Sequence, residues 1–145
     1  MAPMPKKSAG YTFDVRGLLA WSHASANEFA IPAADIESGQ VRIFSCAWNE
    51  MHSAYEDEAK AFQELDFKRE PLSEEHRESV VAIADAANAT FGWKGTYDKA
   101  VEWQIAGVAS CEGLVVVTDE RGKKKYSKID GIKAVSFSEY IADHD

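Results

Sequence analysis

The chain has 145 residues, with 16 Lys plus Arg against 24 Asp plus Glu and a formal net charge of −8. That length suits one domain with a substantial core. A hydrophobic content of 46% with 28% charged residues excludes a disordered chain, and no run approaches the ~20 apolar residues of a membrane span. The acidic balance argues against a protein that coats nucleic acid non-specifically, although an acidic metal site in a nuclease would itself add negative charge.

Met1 to Gly10 carries Lys6 and Lys7 with no apolar stretch behind them. It reads as a disordered tail rather than a secretory signal, and residues 11–145 are expected to form a single domain. Tyr11 to Asp14 is a short strand that stops at a carboxylate, and Gly17 to Ala26 reads as a helix. Ala33 to Glu37 suits a helical turn closed by Ser38-Gly39, and Val41 to Ser45 is a β-type run. From Ala47 to Leu65 the apolar residues Trp48, Met51, Tyr55, Phe62 and Leu65 recur at helical spacings. Ser73 is the expected N-cap of the next helix, with Glu74 and Glu75 at the positive end of its dipole and Val80, Ile83, Ala84 and Ala87 on its apolar face.

Phe91 to Gly95 reads as a loop and Thr96 to Cys111 as a further helix, ended by Gly113. Leu114 to Thr118 is a continuous β-branched run, as in a strand buried on both faces. Arg121 to Lys128 is expected to be a polar basic loop, Lys133 to Phe137 a last strand and Ser138 to Ala142 a terminal helical turn. Helices separate the strands throughout, and no two-residue hairpin signal occurs. The pattern predicts a three-layer α/β/α sandwich with a central parallel sheet.

In such a sheet ligands bind beyond the carboxyl ends of the strands. Asp14 ends the first strand, Glu50 lies early in the helix after Val41–Ser45, and Asp119-Glu120 follow Thr118. Asp98 and Glu102, four residues apart, share a face of the helix that feeds the Leu114–Thr118 strand. Carboxylates brought together there would repel unless protonated or joined by a cation. Mg²⁺ or Mn²⁺ is the natural partner of hard oxygen ligands, and such a site suits phosphodiester hydrolysis. The alternative is that some of the 24 acids fall near strand ends by chance.

Three segments in this order resemble the PIN-domain ribonucleases, a family that includes the VapC-type toxins of bacterial toxin–antitoxin pairs. They are Tyr-Thr-Phe-Asp14 followed by Leu18-Leu19, Val41 through Glu50 to Met51, and Glu102 through Gly113 and Thr118 to Glu120. The spacing from Glu102 to Thr118 fits the family's third segment without a gap. Two features depart from it: Val15-Arg16 follows Asp14 where the family often has a hydroxyl residue, and Glu102 and Glu120 stand where Asp is usual.

The resemblance implies a Mg²⁺- or Mn²⁺-dependent endoribonuclease whose metal is held, directly or through water, by Asp14, Glu50, Glu102 and Glu120, with Asp98 and Asp119 as alternatives. Thr118 would orient a carboxylate or a water, or simply end a buried strand. It also implies an RNA substrate, a homodimer and a small antitoxin that covers the acidic site. A non-catalytic PIN-like protein that binds RNA or a partner is the second reading.

Arg121, Lys123, Lys124, Lys125 and Lys128 either hold RNA phosphates or form a solvated loop. Arg16 either pairs with a carboxylate or touches substrate. Trp48, Trp93 and Trp103 are the residues able to stack bases, with Trp48 expected in the core. The four histidines have no zinc spacing and no nucleophile partner. Cys46 and Cys111 lack a CxxC and are expected as buried, small apolar residues. A reducing cytoplasm is the expected compartment.

Overall fold

The computed structural model describes residues 10–91 and 100–144, giving only the backbone for 86–91 and 100. Residues 1–9 of the expected tail, residues 92–95 of the expected loop with Trp93, and Thr96 and Asp98 therefore lie outside the described residues, whereas Gly10 is described and buried.

Three parallel strands form the sheet. β1 (Tyr11–Phe13) and β3 (Ala134–Ser136) flank β2 (Val115–Thr118). Val116, Val117 and Thr118 are buried, as expected of a β-branched run in the middle of a parallel sheet. The register pairs Phe13 with Val117 and Thr118 with Ser136, so Asp14 emerges beside Thr118.

The run Val41–Ser45, expected as a strand, is not one. It makes single parallel bridges, Val41 to Tyr11 and Phe44 to Glu70. Val41, Ile43 and Phe44 are buried, but the extended stretch is short. It lies between α2 (Ala26–Ser38), which Gly39 closes at φ +86, and α3 (Ser45–Ala54).

α1 (Val15–Ser22) follows β1 directly. The helical turn expected at Ala33–Glu37 is part of the longer α2, which starts at the Ser25 cap and carries Pro32 inside it. The single helix expected over 47–65 breaks at Tyr55 (φ −135, ψ 61) into α3, α4 (Glu56–Ala59) and a 3-10 turn at Lys60–Phe62. Trp48, Phe62, Trp21, Phe29 and Phe67 form an aromatic cluster there, with Trp21 and Phe62 centroids 4.7 Å apart.

α5 (Glu74–Phe91) packs on α6 (Ala100–Glu112), so close that a Cβ on Gly107 would meet the Val80 side chain at 2.4 Å. Ser73 caps α5 as expected: its Oγ accepts from the His76 N–H, and its own N–H donates to His76 Nδ1. This is a capping box with His in the usual Glu position.

The segment expected as a basic loop is a helix, α7 (Glu120–Tyr126), capped by Asp119. An acid at the cap, Glu120 in the first turn and Lys123–Lys125 in the last turn all complement the helix dipole. α8 (Phe137–Ala142) follows β3 with a full Ser136–Glu139 capping box. Tyr140 Oη donates to Asp35 Oδ2 at 2.6 Å, tying α8 to α2.

Away from the strand ends, Arg42 makes a two-pronged contact with Glu70 at 2.9 and 2.7 Å and a third bond to Glu112 at 2.9 Å. Glu112 also accepts from His76 Nε2 at 2.7 Å. The network joins the 41–44 segment, the Glu70 bridge, the start of α5 and the end of α6. The His76 hydrogen bond and Arg42 hold Glu112 below the ordinary carboxylate range, and Arg42 does the same for Glu70.

Candidate active site

β1 and β2 end alike. Asp14 caps α1 by accepting the Gly17 N–H, and Asp119 caps α7 by accepting the Gly122 N–H, both at 2.8 Å. Both glycines are required by close approach. A Cβ on Gly17 would lie 2.1 Å from the Val117 carbonyl oxygen, and one on Gly122 would lie 1.9 Å from Thr118 Oγ1. The chain thus writes the same four-residue pattern twice, Asp14-Val-Arg-Gly17 and Asp119-Glu-Arg-Gly122. It sets two aspartates and two arginines at the ends of adjacent strands.

Asp14 is 1% exposed. Beyond the Gly17 N–H, its Oδ2 accepts from Thr118 Oγ1 at 2.8 Å and from Tyr126 Oη at 2.9 Å. Burial pushes its carboxyl up to about 6 from an ordinary 3.8, the Glu102 charge adds to the rise, and the three donors oppose it. The Tyr126 phenol is itself raised well above 10, first by burial and then by the Asp14 and Glu102 charges. Tyr126 carries no motif signal in the sequence; its one clue is its place at the end of a helix whose cap is Asp119.

Asp14, Glu50, Glu102 and Asp119 line one cleft of about 600 Å³. Arg16 and Arg121 share it, and Leu19, Ala20, Ala54, Tyr55 and Val101 give it an apolar wall. Glu50 is exposed on α3. Glu102, at the third position of α6, has its side chain 25% exposed. Glu120 does not line this cleft; its side chain is 76% exposed and meets Lys123 at 3.8 Å. As the first helical residue after the cap, it leaves the strand end to Asp119.

The basic residues divide. Arg121 lines the cleft and is exposed, and Lys124 is exposed. Lys123 is committed to Glu139 at 2.8 Å and Lys125 to Glu102 at 3.4 Å. Trp103 is 6% exposed and Trp48 7%, so both belong to the interior rather than to a stacking surface. Cys46 is half-buried, its thiol pushed up to about 11 by burial, whereas Cys111 is exposed, against expectation.

The cleft offers a hard cation carboxylate oxygens from several chain segments. Glu102 Oε2 is shielded from solvent yet makes no hydrogen bond; its nearest partner is Arg16 Nε at 3.8 Å. An oxygen of that kind fits a Mg²⁺ or Mn²⁺ ligand set.

Among the described residues, the group whose metal-capable atoms crowd within 4.8 Å of one another is a different one, His76, Cys111 and Glu112. There the His76 Nδ1 accepts the Ser73 N–H, which places the ring proton on Nε2, toward Glu112. A metal on Nε2 would move that proton to Nδ1, against the Ser73 N–H. The His76–Glu112 pair therefore works as a hydrogen-bonded tie.

With this geometry the chain has a PIN-like α/β fold built on a parallel sheet. A solved structure described as VapBC2 from Rickettsia felis bound to a DNA fragment from their promoter superposes with a TM-score of 0.65. The match covers 87% of this chain and 97% of that one at 11% sequence identity. No protein-family model matches the chain, and no curated protein matches it. No helix among the described residues is long and apolar enough to cross a membrane.

Proposed function

We propose that the protein is a divalent-metal-dependent endoribonuclease, the toxin member of a toxin–antitoxin pair. The observation that carries the reading is the convergence of Asp14, Glu102 and Asp119 on one cleft at the carboxyl ends of adjacent parallel strands. The fold shared with the VapBC2 structure supports it.

Asp14, Glu102 and Asp119 would hold the cation, with Glu50 reaching it directly or through water. Bound Mg²⁺ or Mn²⁺ supplies Lewis acidity toward a phosphate oxygen and lowers the pKa of water. Thr118 and Tyr126 fix the Asp14 carboxylate by two hydrogen bonds to one oxygen, which leaves its other oxygen on Gly17. Arg121, on the rim, contributes a cation for a substrate phosphate. Tyr55, 41% exposed on the apolar wall, offers a ring face for a base. A small antitoxin inserting a cationic side chain would find the same carboxylates, and the active form would be a homodimer.

The test is cleavage of single-stranded RNA with millimolar Mg²⁺ or Mn²⁺, with and without EDTA. Metal-dependent fragments, lost in Asp14→Asn and Glu102→Gln, are expected. A specific observation favours the second, non-catalytic reading: Arg16 and Lys125 already neutralise the Glu102 carboxylate. RNA binding with no cleavage under either metal would select that reading.

A further inference from the structure

Arg16 stands where the cleft needs positive charge. Its Nη1 lies 3.3 Å from Asp119 Oδ2 and its Nε 3.8 Å from Glu102 Oε2. The guanidinium thus bridges a carboxylate from the end of β2 and one from the start of α6. Among the described residues, no three cleft carboxylates bring oxygens within 4.8 Å of one another.

A divalent cation that gathers Glu102 and Asp119 into one coordination sphere of about 2.0–2.6 Å radius must take over the contacts Arg16 now makes. The arginine is tethered at the second position of α1 and lines the same cleft. Once released, its guanidinium donors are free to take another acceptor. A phosphodiester in the cleft would provide one.

Resting on the metal-dependent reading of this site, we propose that Arg16 is a resident counter-ion of the cation site. A divalent cation binds by displacing it from Glu102 and Asp119, and the displaced guanidinium then contacts a phosphate of the RNA. Metal and RNA are therefore coupled through one side chain that the first ligand frees for the second.

The variant Arg16→Gln should shift the two affinities in opposite directions, which a merely structural role would not do. Mn²⁺ binding by calorimetry should tighten about three- to tenfold, in keeping with the modest strength of half-exposed ion pairs. RNA binding in saturating Mn²⁺, read by stopped-flow anisotropy before turnover, should weaken about fivefold, as for loss of one phosphate contact. Lys60→Gln removes the same charge from a pair with Asp57 outside the cleft and should change Mn²⁺ affinity less than twofold.

In the wild-type chain, Mg²⁺ should move the Arg16 Nε–H resonance in an NMR titration, a readout that needs no variant. If wild type and Arg16→Gln bind Mn²⁺ equally, the metal site stands and the role of Arg16 is overturned. Unchanged RNA affinity or an unmoved resonance overturns it as well. If neither protein binds Mn²⁺, the metal-dependent reading falls together with it.

Discussion

Replacing Asp14 by Asn isolates the one buried carboxylate whose titration the fold perturbs most clearly. The folded carboxyl titrates near 6 instead of 3.8. A group raised in this way stabilises the fold fully below its unfolded value, and that contribution is lost as pH rises through its folded value. The difference corresponds to roughly 2.5 kcal/mol between pH 4 and pH 7.5.

Asn carries no charge to desolvate, but it places an amide NH₂ where one carboxylate oxygen now accepts from Thr118 and Tyr126. Near pH 4 the variant should therefore be the less stable protein, by about 1–2 kcal/mol. The difference, variant minus wild type, should then climb by roughly 2.5 kcal/mol toward pH 7.5. Urea unfolding followed by circular dichroism in EDTA, at four or five pH values, measures it. A difference that does not depend on pH would refute the burial argument for Asp14.

Because a cation favours the ionised carboxylate, Mg²⁺ or Mn²⁺ should raise Tm more at pH 8 than at pH 5.5. At a hundredfold excess over Kd the gain is about 2.7 kcal/mol, or roughly 5–10 °C. Gly122→Ala drives a Cβ into Thr118 Oγ1; it should cost about 1–3 kcal/mol, seen by denaturant unfolding, and lower the Mg²⁺-induced Tm shift by disturbing the Thr118–Asp14 bond.

Arg42→Ala should cost about 1–2 kcal/mol near neutral pH. Glu70 and Glu112 are held low, so their contribution is present above their ordinary value of 4.5 and lost as pH falls through the lower folded values. The deficit in unfolding free energy should therefore shrink by pH 3. Arg121→Ala should weaken RNA binding more than Lys123→Ala and reduce the salt slope by about 0.7, as read from titrations at several ionic strengths.

The sequence made the fold readable where local pattern and tertiary environment agree. The β-branched run before Thr118 is the central strand, and Ser73 and Gly39 mark helix ends as their chemistry requires. Val41–Ser45 reads as a strand from its pattern, yet Val41, Ile43 and Phe44 reach the core without forming a ladder. The 121–128 segment reads as a loop because its lysines suit solvent, whereas the Asp119 cap starts a helix there.

At the site, the strand-end rule leads to Asp14 and to the Asp119-Glu120 pair but does not choose within the pair. Cap geometry places Asp119 on the cleft and leaves Glu120 outside its lining. The repeated Asp-x-Arg-Gly pattern was present in the sequence as a pointer to that geometry. Tyr126 and the Arg42–Glu112–His76 tie depend on contacts between residues far apart in the chain, which no local pattern encodes.

The most direct test of the account is the rate of Mn²⁺-dependent cleavage of single-stranded RNA by Asp119→Asn and Glu120→Gln, side by side with wild type. If the catalytic site is the cleft framed by Asp14, Glu102 and Asp119, Asp119→Asn should lose at least about a hundredfold, a barrier increase of about 2.7 kcal/mol, while Glu120→Gln stays within about twofold. Loss of cleavage in Glu120→Gln with Asp119→Asn near wild type would contradict it.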